Sequence, residues 1–257
     1  MSKKSLLIFI TIILILIIYG ALVFAFPFVY SGYYYKTVPP KNLVNFDILN
    51  PLITNNSSLK VAVIGDSTGI GQGTDSDTQS FGYQYTQTYL LPNYSFINYS
   101  NFSQSGNSTS DVLQNQIPKV ETDKYDIIFV SIGSNDMIST KTNKAEFTKN
   151  VSKLADKLIS TKAKIIWLSI PDFITVPTLL FPLNLYLSNR SKQFNQETTK
   201  ILDTNKLQLI DVYDATRQPF IDNPNKYFSK DKYHPSKDGY NLWVEAIKAQ
   251  LQSNSIG

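Results

Sequence analysis

Cysteine is absent from this 257-residue chain and histidine occurs once. The first absence excludes a disulfide scaffold, a thiolate zinc site, a thiol nucleophile and a cysteine-linked lipid anchor. The second leaves one imidazole among scattered carboxylates, which gives no metal-ligand spacing of a recognised kind, so neither metal nor cofactor is expected. Surplus charge is scarce as well. The chain has 24 basic and 20 acidic residues, a net +4, and residues 1–58 hold four of those lysines (Lys3, Lys4, Lys36, Lys41) against Asp47. That is +3, leaving +1 for everything after residue 58, so a basic face for nucleic acid is not expected. Whatever chemistry the chain performs must run on oxygen and nitrogen groups.

What is present begins with an apolar run. Residues 5–35 carry no charge, and residues 6–26 are dominated by Leu, Ile, Val, Phe and Ala. About 20 apolar residues cross the roughly 30 Å of bilayer hydrocarbon, whereas the apolar core of a cleavable signal is usually about 7–15 residues. Residues 1–30 are therefore expected to be a transmembrane signal anchor, with the N-terminus cytoplasmic and the catalytic part extracytoplasmic. Lys3 and Lys4 before the span nearly balance Lys36 and Lys41 after it, so this orientation rests mainly on the habit of first spans headed by lysine. Tyr30, Tyr33, Tyr34 and Tyr35 fall where an aromatic belt belongs. Residues 31–58, with three prolines and no sustained period, read as a stalk.

From residue 59 to 257 a single domain is expected. Short apolar runs at 60–64, 94–99, 126–132, 164–170 and 207–212 alternate with helical patterns at about 80–91, 110–120, 144–160, 187–205 and 236–251. Several of the runs are nearly continuous in β-branched and aromatic residues, as in strands buried on both faces. Such alternation predicts an α/β fold with a parallel sheet between helices. Ligands then bind beyond the carboxyl ends of the strands, near a topological switch point.

The unusual residues sit at those ends. The first run closes in Gly65-Asp66-Ser67-Thr68-Gly69, which sets a serine on a strand-to-helix turn. No lysine follows in phosphate-loop fashion, and residues 69–74 lack the last glycine of a dinucleotide fingerprint. The only imidazole lies in Asp231-Lys232-Tyr233-His234-Pro235. A serine nucleophile needs a base, and the base an orienting acid; Asp231 can reach His234 if the segment turns. Gly106 follows the second run, and Gly133-Ser134-Asn135-Asp136 closes the third. A glycine N–H and an asparagine amide are donors of the kind that hold a developing oxyanion.

Taken in order, the GDS block, the glycine after the second strand, the GxND block and the DxxHP block resemble the SGNH or GDSL hydrolases. The resemblance spans residues 65–235. It implies a three-layer α/β/α sandwich, flavodoxin-like, with a five-stranded parallel sheet. It also implies Ser67 as nucleophile, His234 as base, Asp231 as its partner, and the Ser67 N–H, Gly106 and Asn135 as oxyanion hole. Thr68 departs from the Leu of the name-giving motif. A rival is the G-x-S-x-G elbow of α/β-hydrolases, which Gly65–Gly69 satisfies. In that fold the elbow follows several strands and the acid lies well before the histidine, and neither Gly106 nor Asn135 finds a role.

The expected activity is that of a membrane-anchored serine esterase acting on carboxylic esters through an acyl-serine intermediate. Its expected substrate carries short acyl or acetyl groups, with cell-envelope carbohydrate as their bearer. A lipase-type lipid esterase and an O-acyltransferase passing the acyl group to a sugar hydroxyl are the alternatives, and a non-catalytic binding module is the third. Residues 173–187 form an apolar segment interrupted by Pro177 and Pro182. It suits an acyl pocket, a lid or a membrane-dipping loop, and equally a loop folded onto the core.

Overall fold

The computed structural model describes residues 2–35, 44–139 and 142–253, with the side chains of 27–35 and 253 left aside. Lys36, Lys41 and the middle of the expected stalk lie outside the described residues, as do the side chains of Tyr30, Tyr33, Tyr34 and Tyr35.

Helix α1 (Lys3–Tyr35) contains Lys3–Phe26, the one helix among the described residues long and apolar enough to cross a membrane. Most of its apolar side chains are exposed, and it touches the rest of the chain near Tyr19 and Phe24. The sheet comprises β1 (Val44–Leu49), β2 (Ser58–Gly65), β3 (Phe96–Asn101), β4 (Ile127–Ser131), β5 (Lys164–Leu168) and β6 (Leu209–Ile210), in the order β1-β3-β2-β4-β5-β6. Strands β2 to β6 run parallel, and all five expected runs contribute one. The sheet nevertheless has six strands and is mixed, because β1 joins antiparallel to β3, from Val44 opposite Asn101 to Leu49 opposite Phe96. This strand comes from the stretch read as stalk. Its alternating exposure, with only Ile48 buried, is that of an edge strand covered on one side.

The central strands alternate their side chains between two cores, as the two-residue period of a strand requires. Val61 and Val63 of β2, with Phe129 and Leu168, pack against α2 (Phe81–Tyr85) and the last helix, α10 (Lys237–Ser253). Ala62 and Ile64, with Ile128, Val130 and Trp167, face α3 (Thr109–Asn115), α4 (Ile117–Asp123), α6 (Lys144–Ser160) and α7 (Leu183–Thr204). Helix α6 shows why such a segment docks. Asn143 caps its start by accepting from the Glu146 N–H, and Phe147, Val151, Leu154, Ala155 and Leu158 form one buried stripe. Burying each larger member contributes about 1.5–3 kcal/mol.

Three short helices fall where no helix is expected from the sequence: α5 (Ser134–Ile138), α8 (Val212–Asp222) and α9 (Pro224–Tyr227). Strand β2 is the one from which the chain leaves in one direction to β3 and then crosses to the other side at β4. Its carboxyl end is therefore the switch point, flanked by the ends of β3 and β4.

Candidate active site

Ser67 lies at that switch point, immediately after β2. The backbone there is held tightly. The Gln116 side chain brackets Gly65, donating to its carbonyl (2.9 Å) and accepting from its N–H (2.8 Å). Gly65 has φ of +149°, and a Cβ there would collide with the Ser131 carbonyl of the adjacent strand, so no other residue fits.

The Asp231 segment reaches Ser67 from the far end of the chain. His234 Nε2 is 3.0 Å from Ser67 Oγ, and Nδ1 is 2.7 Å from Asp231 Oδ2. The turn that brings the acid under the imidazole is built by the same carboxylate. Its other oxygen accepts from the Tyr233 N–H (2.8 Å), the His234 N–H (2.8 Å) and the Ser229 hydroxyl (2.7 Å). Burial on its own pushes the Asp231 carboxyl up, but the bond to His234, its charge and the Ser229 hydroxyl outweigh this and hold it down at about 2. An ionised acid with four donors fixes both the tautomer and the tilt of the ring. Gly73 (φ +94°) lies close against the His234 segment, where a Cβ would stand 2.9 Å from His234 Cβ and 2.8 Å from the Pro235 carbonyl.

Gly106 and Asn135 line the same cavity as Ser67 and His234. One N–H of the Asn135 amide donates to the Asn107 carbonyl (2.9 Å), which orients it. Its second N–H, the Gly106 N–H and the Ser67 N–H meet no acceptor among the described residues. Asp136 ties the two loops together, accepting from the N–H (2.8 Å) and hydroxyl (2.7 Å) of Thr109. Burial raises the Asp136 carboxyl, against the pull of these Thr109 bonds.

Other polar groups at the site escape sequence reasoning. Asp66 is fully buried beside the serine; Oδ1 accepts from the Thr68 N–H (2.9 Å) and hydroxyl (2.8 Å), while Oδ2 has no partner among the described residues. Burial, only partly offset by Thr68, raises its carboxyl to about 6. Thr68 thus has a use that the family's Leu cannot supply, since its hydroxyl also meets that of Ser131 (2.7 Å). Ser229 was equally hidden, its signal being only a hydroxyl two residues before the acid.

Beyond the serine the cavity, of about 450 Å³, turns apolar. Phe173, Val176, Leu179, Leu183 and Leu187 line it from the interrupted segment, and Phe220 comes from α8. One charged pair interrupts this wall, Arg217 Nε 3.2 Å from the buried Asp172 Oδ2, at an angle that makes it a charge contact and not a hydrogen bond. Among the described residues no cluster of His, Asp and Glu is placed to hold a metal ion.

The same architecture occurs in known proteins. A lipase/acylhydrolase from Enterococcus faecalis superposes with a TM-score of 0.60 at 21% identity, covering 76% of this chain and 96% of its own. The psychrotrophic esterase EstA from Pseudoalteromonas sp. gives 0.59 at 16% identity, covering 79% and 100%. The acetylxylan esterase Axe2 from Geobacillus stearothermophilus gives 0.56 at 19%, covering 73% and 91%. At these identities the likeness speaks for the fold. No curated protein matches the chain. Residues 63–242, however, match a family directly, and they enclose Ser67, the Gly106 and Asn135 loops, Asp231 and His234. The chain belongs to the GDSL-like lipase/acylhydrolase family and is a serine ester hydrolase.

Proposed function

We propose that this protein is a membrane-anchored esterase whose substrate carries a medium or long acyl chain, cleaved through an acyl-serine at Ser67. One observation carries the choice of acyl group: the cavity of about 450 Å³ that begins at Ser67 and His234 continues along an apolar wall. An acetyl group would leave that wall wet, whereas each methylene buried along it contributes about 0.8 kcal/mol. This favours the lipid-ester alternative over deacetylation of carbohydrate.

In the cycle, His234 takes the Ser67 proton as Oγ attacks the ester carbonyl. The Ser67, Gly106 and Asn135 N–H groups receive the oxyanion, the ester C–O bond breaks, and the alcohol leaves with the proton from the imidazolium. Water, deprotonated by the same ring, then releases the acid and restores the serine. Asp231 keeps Nδ1–H toward itself throughout, so that Nε2 faces the serine as acceptor. Helix α1 serves as the anchor, on the strength of its length and composition.

The test uses the full chain in detergent and compares nitrophenyl acetate, octanoate and palmitate as substrates of wild type and Ser67→Ala. A rise in kcat/KM from acetate to octanoate, abolished by Ser67→Ala, is expected. Highest activity on acetate would return the reading to short acyl groups, and activity surviving in Ser67→Ala would remove the serine from the reaction.

A further inference from the structure

The cavity wall contains one residue from outside the catalytic domain. Phe24, near the end of the apolar span of α1, lines the same space as Ser67 and His234. One further contact and one burial support a seat for α1 on the domain. The Tyr19 hydroxyl donates to the Phe181 carbonyl at 2.8 Å, and Val23 is only 1% exposed although Leu22 and Phe24 on either side are 54% and 63% exposed. Val23 stands one helical turn after Tyr19, on the face of α1 whose tyrosine reaches the domain.

The part of the domain that α1 meets is itself apolar and outward-facing. Phe181, Leu185 and Tyr186 are 62%, 45% and 56% exposed. Pro177 and Pro182 remove two N–H donors from this stretch, and Tyr19 supplies the Phe181 carbonyl with its partner. Irregular backbone reaches membrane depth only when its polar groups are satisfied by protein in this way. The depth is also suitable. Tyr19 lies seven residues before Phe26, the last residue of the apolar span, or about 10 Å along the helix axis. Interfacial apolar faces bury themselves about 5–10 Å.

We propose that the rim formed by Phe181, Leu185 and Tyr186 inserts into the lipid bilayer around α1, and that the ester enters the cavity sideways from that bilayer, past Phe24. The partner of this surface is the lipid of the anchoring membrane, and the substrate class is an amphiphilic ester resident in it. The inference rests on the reading of the cavity as an acyl site and of α1 as a span. The anchor then has two duties: it holds the enzyme at the membrane, and it forms one wall of the passage between membrane and serine.

Because the chain has no cysteine, Leu185→Cys provides a unique thiol for an environment-sensitive fluorophore. The full-length variant, in phosphatidylcholine vesicles containing lipids brominated at shallow acyl positions, is expected to show a blue-shifted, strongly quenched probe. The same probe at Thr122→Cys, exposed at the opposite end of the sheet, is expected to be unquenched. Absence of quenching at residue 185 would overturn the proposal whatever the enzyme hydrolyses. In a second arm, Phe181→Ser with Leu185→Ser, neither of which lines the cavity, is expected to slow hydrolysis of vesicle-borne monooleoylglycerol about tenfold. Nitrophenyl acetate hydrolysis by the same variant should change less than twofold. An equal loss on both esters, or none on either, would also overturn it. If Ser67→Ala matched wild type on both, the esterase reading would fall, while the quenching measurement would still decide the membrane insertion on its own.

Discussion

The two sides of the cavity are built by opposite means. On the polar side, Asp231 alone accepts four hydrogen bonds, and the serine turn is pinned by Gln116 through the N–H and the carbonyl of Gly65. The apolar side, residues 173–187, is shaped by leucine, valine and phenylalanine contacts, with two prolines breaking its regularity. Hydrogen bonds are directional and fix atoms to within tenths of an ångström, which proton transfer requires. Apolar contacts specify volume and tolerate repacking, which suits selection among acyl chains. Substitutions on the first side should therefore change rate at any chain length, and those on the second should change chain-length preference at little cost in chemistry.

Ser67→Ala is the harshest test of that division, with an expected loss of about 10⁴–10⁶ in kcat on every ester. Next comes Asp231→Asn, which keeps the shape of the turn but favours the wrong tautomer of His234. A drop of about 10⁴ is expected, again independent of chain length, and a drop confined to long chains would break the comparison. For Asn135→Ala the expected loss is about 10²–10³ in kcat, with KM little changed. Unaltered turnover there would take the amide out of the oxyanion site.

Asp66 sharpens the comparison through pH. Its folded-state carboxyl, raised to about 6, lies above the value of about 3.9 in an unfolded chain. Below pH 4 both states are protonated and burial costs nothing. Between pH 4 and 6 the folded protein holds a proton that the unfolded chain has released, so stability falls as pH rises, and above pH 6 the full cost is present. Asp66→Asn retains an acceptor for Thr68 and is expected to exceed wild type in stability by on the order of 1–3 kcal/mol at pH 7, with no advantage near pH 4. Denaturant unfolding at the two pH values measures it; a gain of equal size at both would mean that ionisation is not the cause. The smallest effect is expected on the apolar side, where Leu179→Phe shortens the cavity. Octanoate should lose about fourfold in kcat/KM for each methylene excluded, while acetate stays within twofold of wild type.

The legibility of the molecule in its sequence divides along the same line. The five parallel strands and helices such as α6 could be read because continuous β-branched runs and a 3.6-residue apolar stripe are local signals. The GDS, GxND and DxxHP blocks were legible because their residue types are chemically rare, the single histidine above all. Strand β1 was not, since an edge strand buried on one face at one residue resembles a polar linker, and its pairing with β3 is a tertiary event. Helix α8 was missed with Pro219 inside it, because proline argues against a helix interior. Asp66 and Ser229 were invisible for another reason: burial and hydrogen-bond partners exist only after folding, and both residue types are common in turns.

Strand β1 also has a consequence for how the enzyme searches. It takes residues out of the tether and places them in the sheet, leaving nine Cα steps between Tyr35 at the end of α1 and Val44 at the start of the strand. Even fully stretched, that interval is at most about 32 Å. With α1 as the anchor and a membrane-borne ester as the substrate, both as proposed above, an enzyme on so short a leash would sample only a thin disc of territory and meet its substrate by diffusion in two dimensions. On that proposal its rate should follow the mole fraction of ester within the membrane, and remain nearly indifferent to dilution of the suspension as a whole.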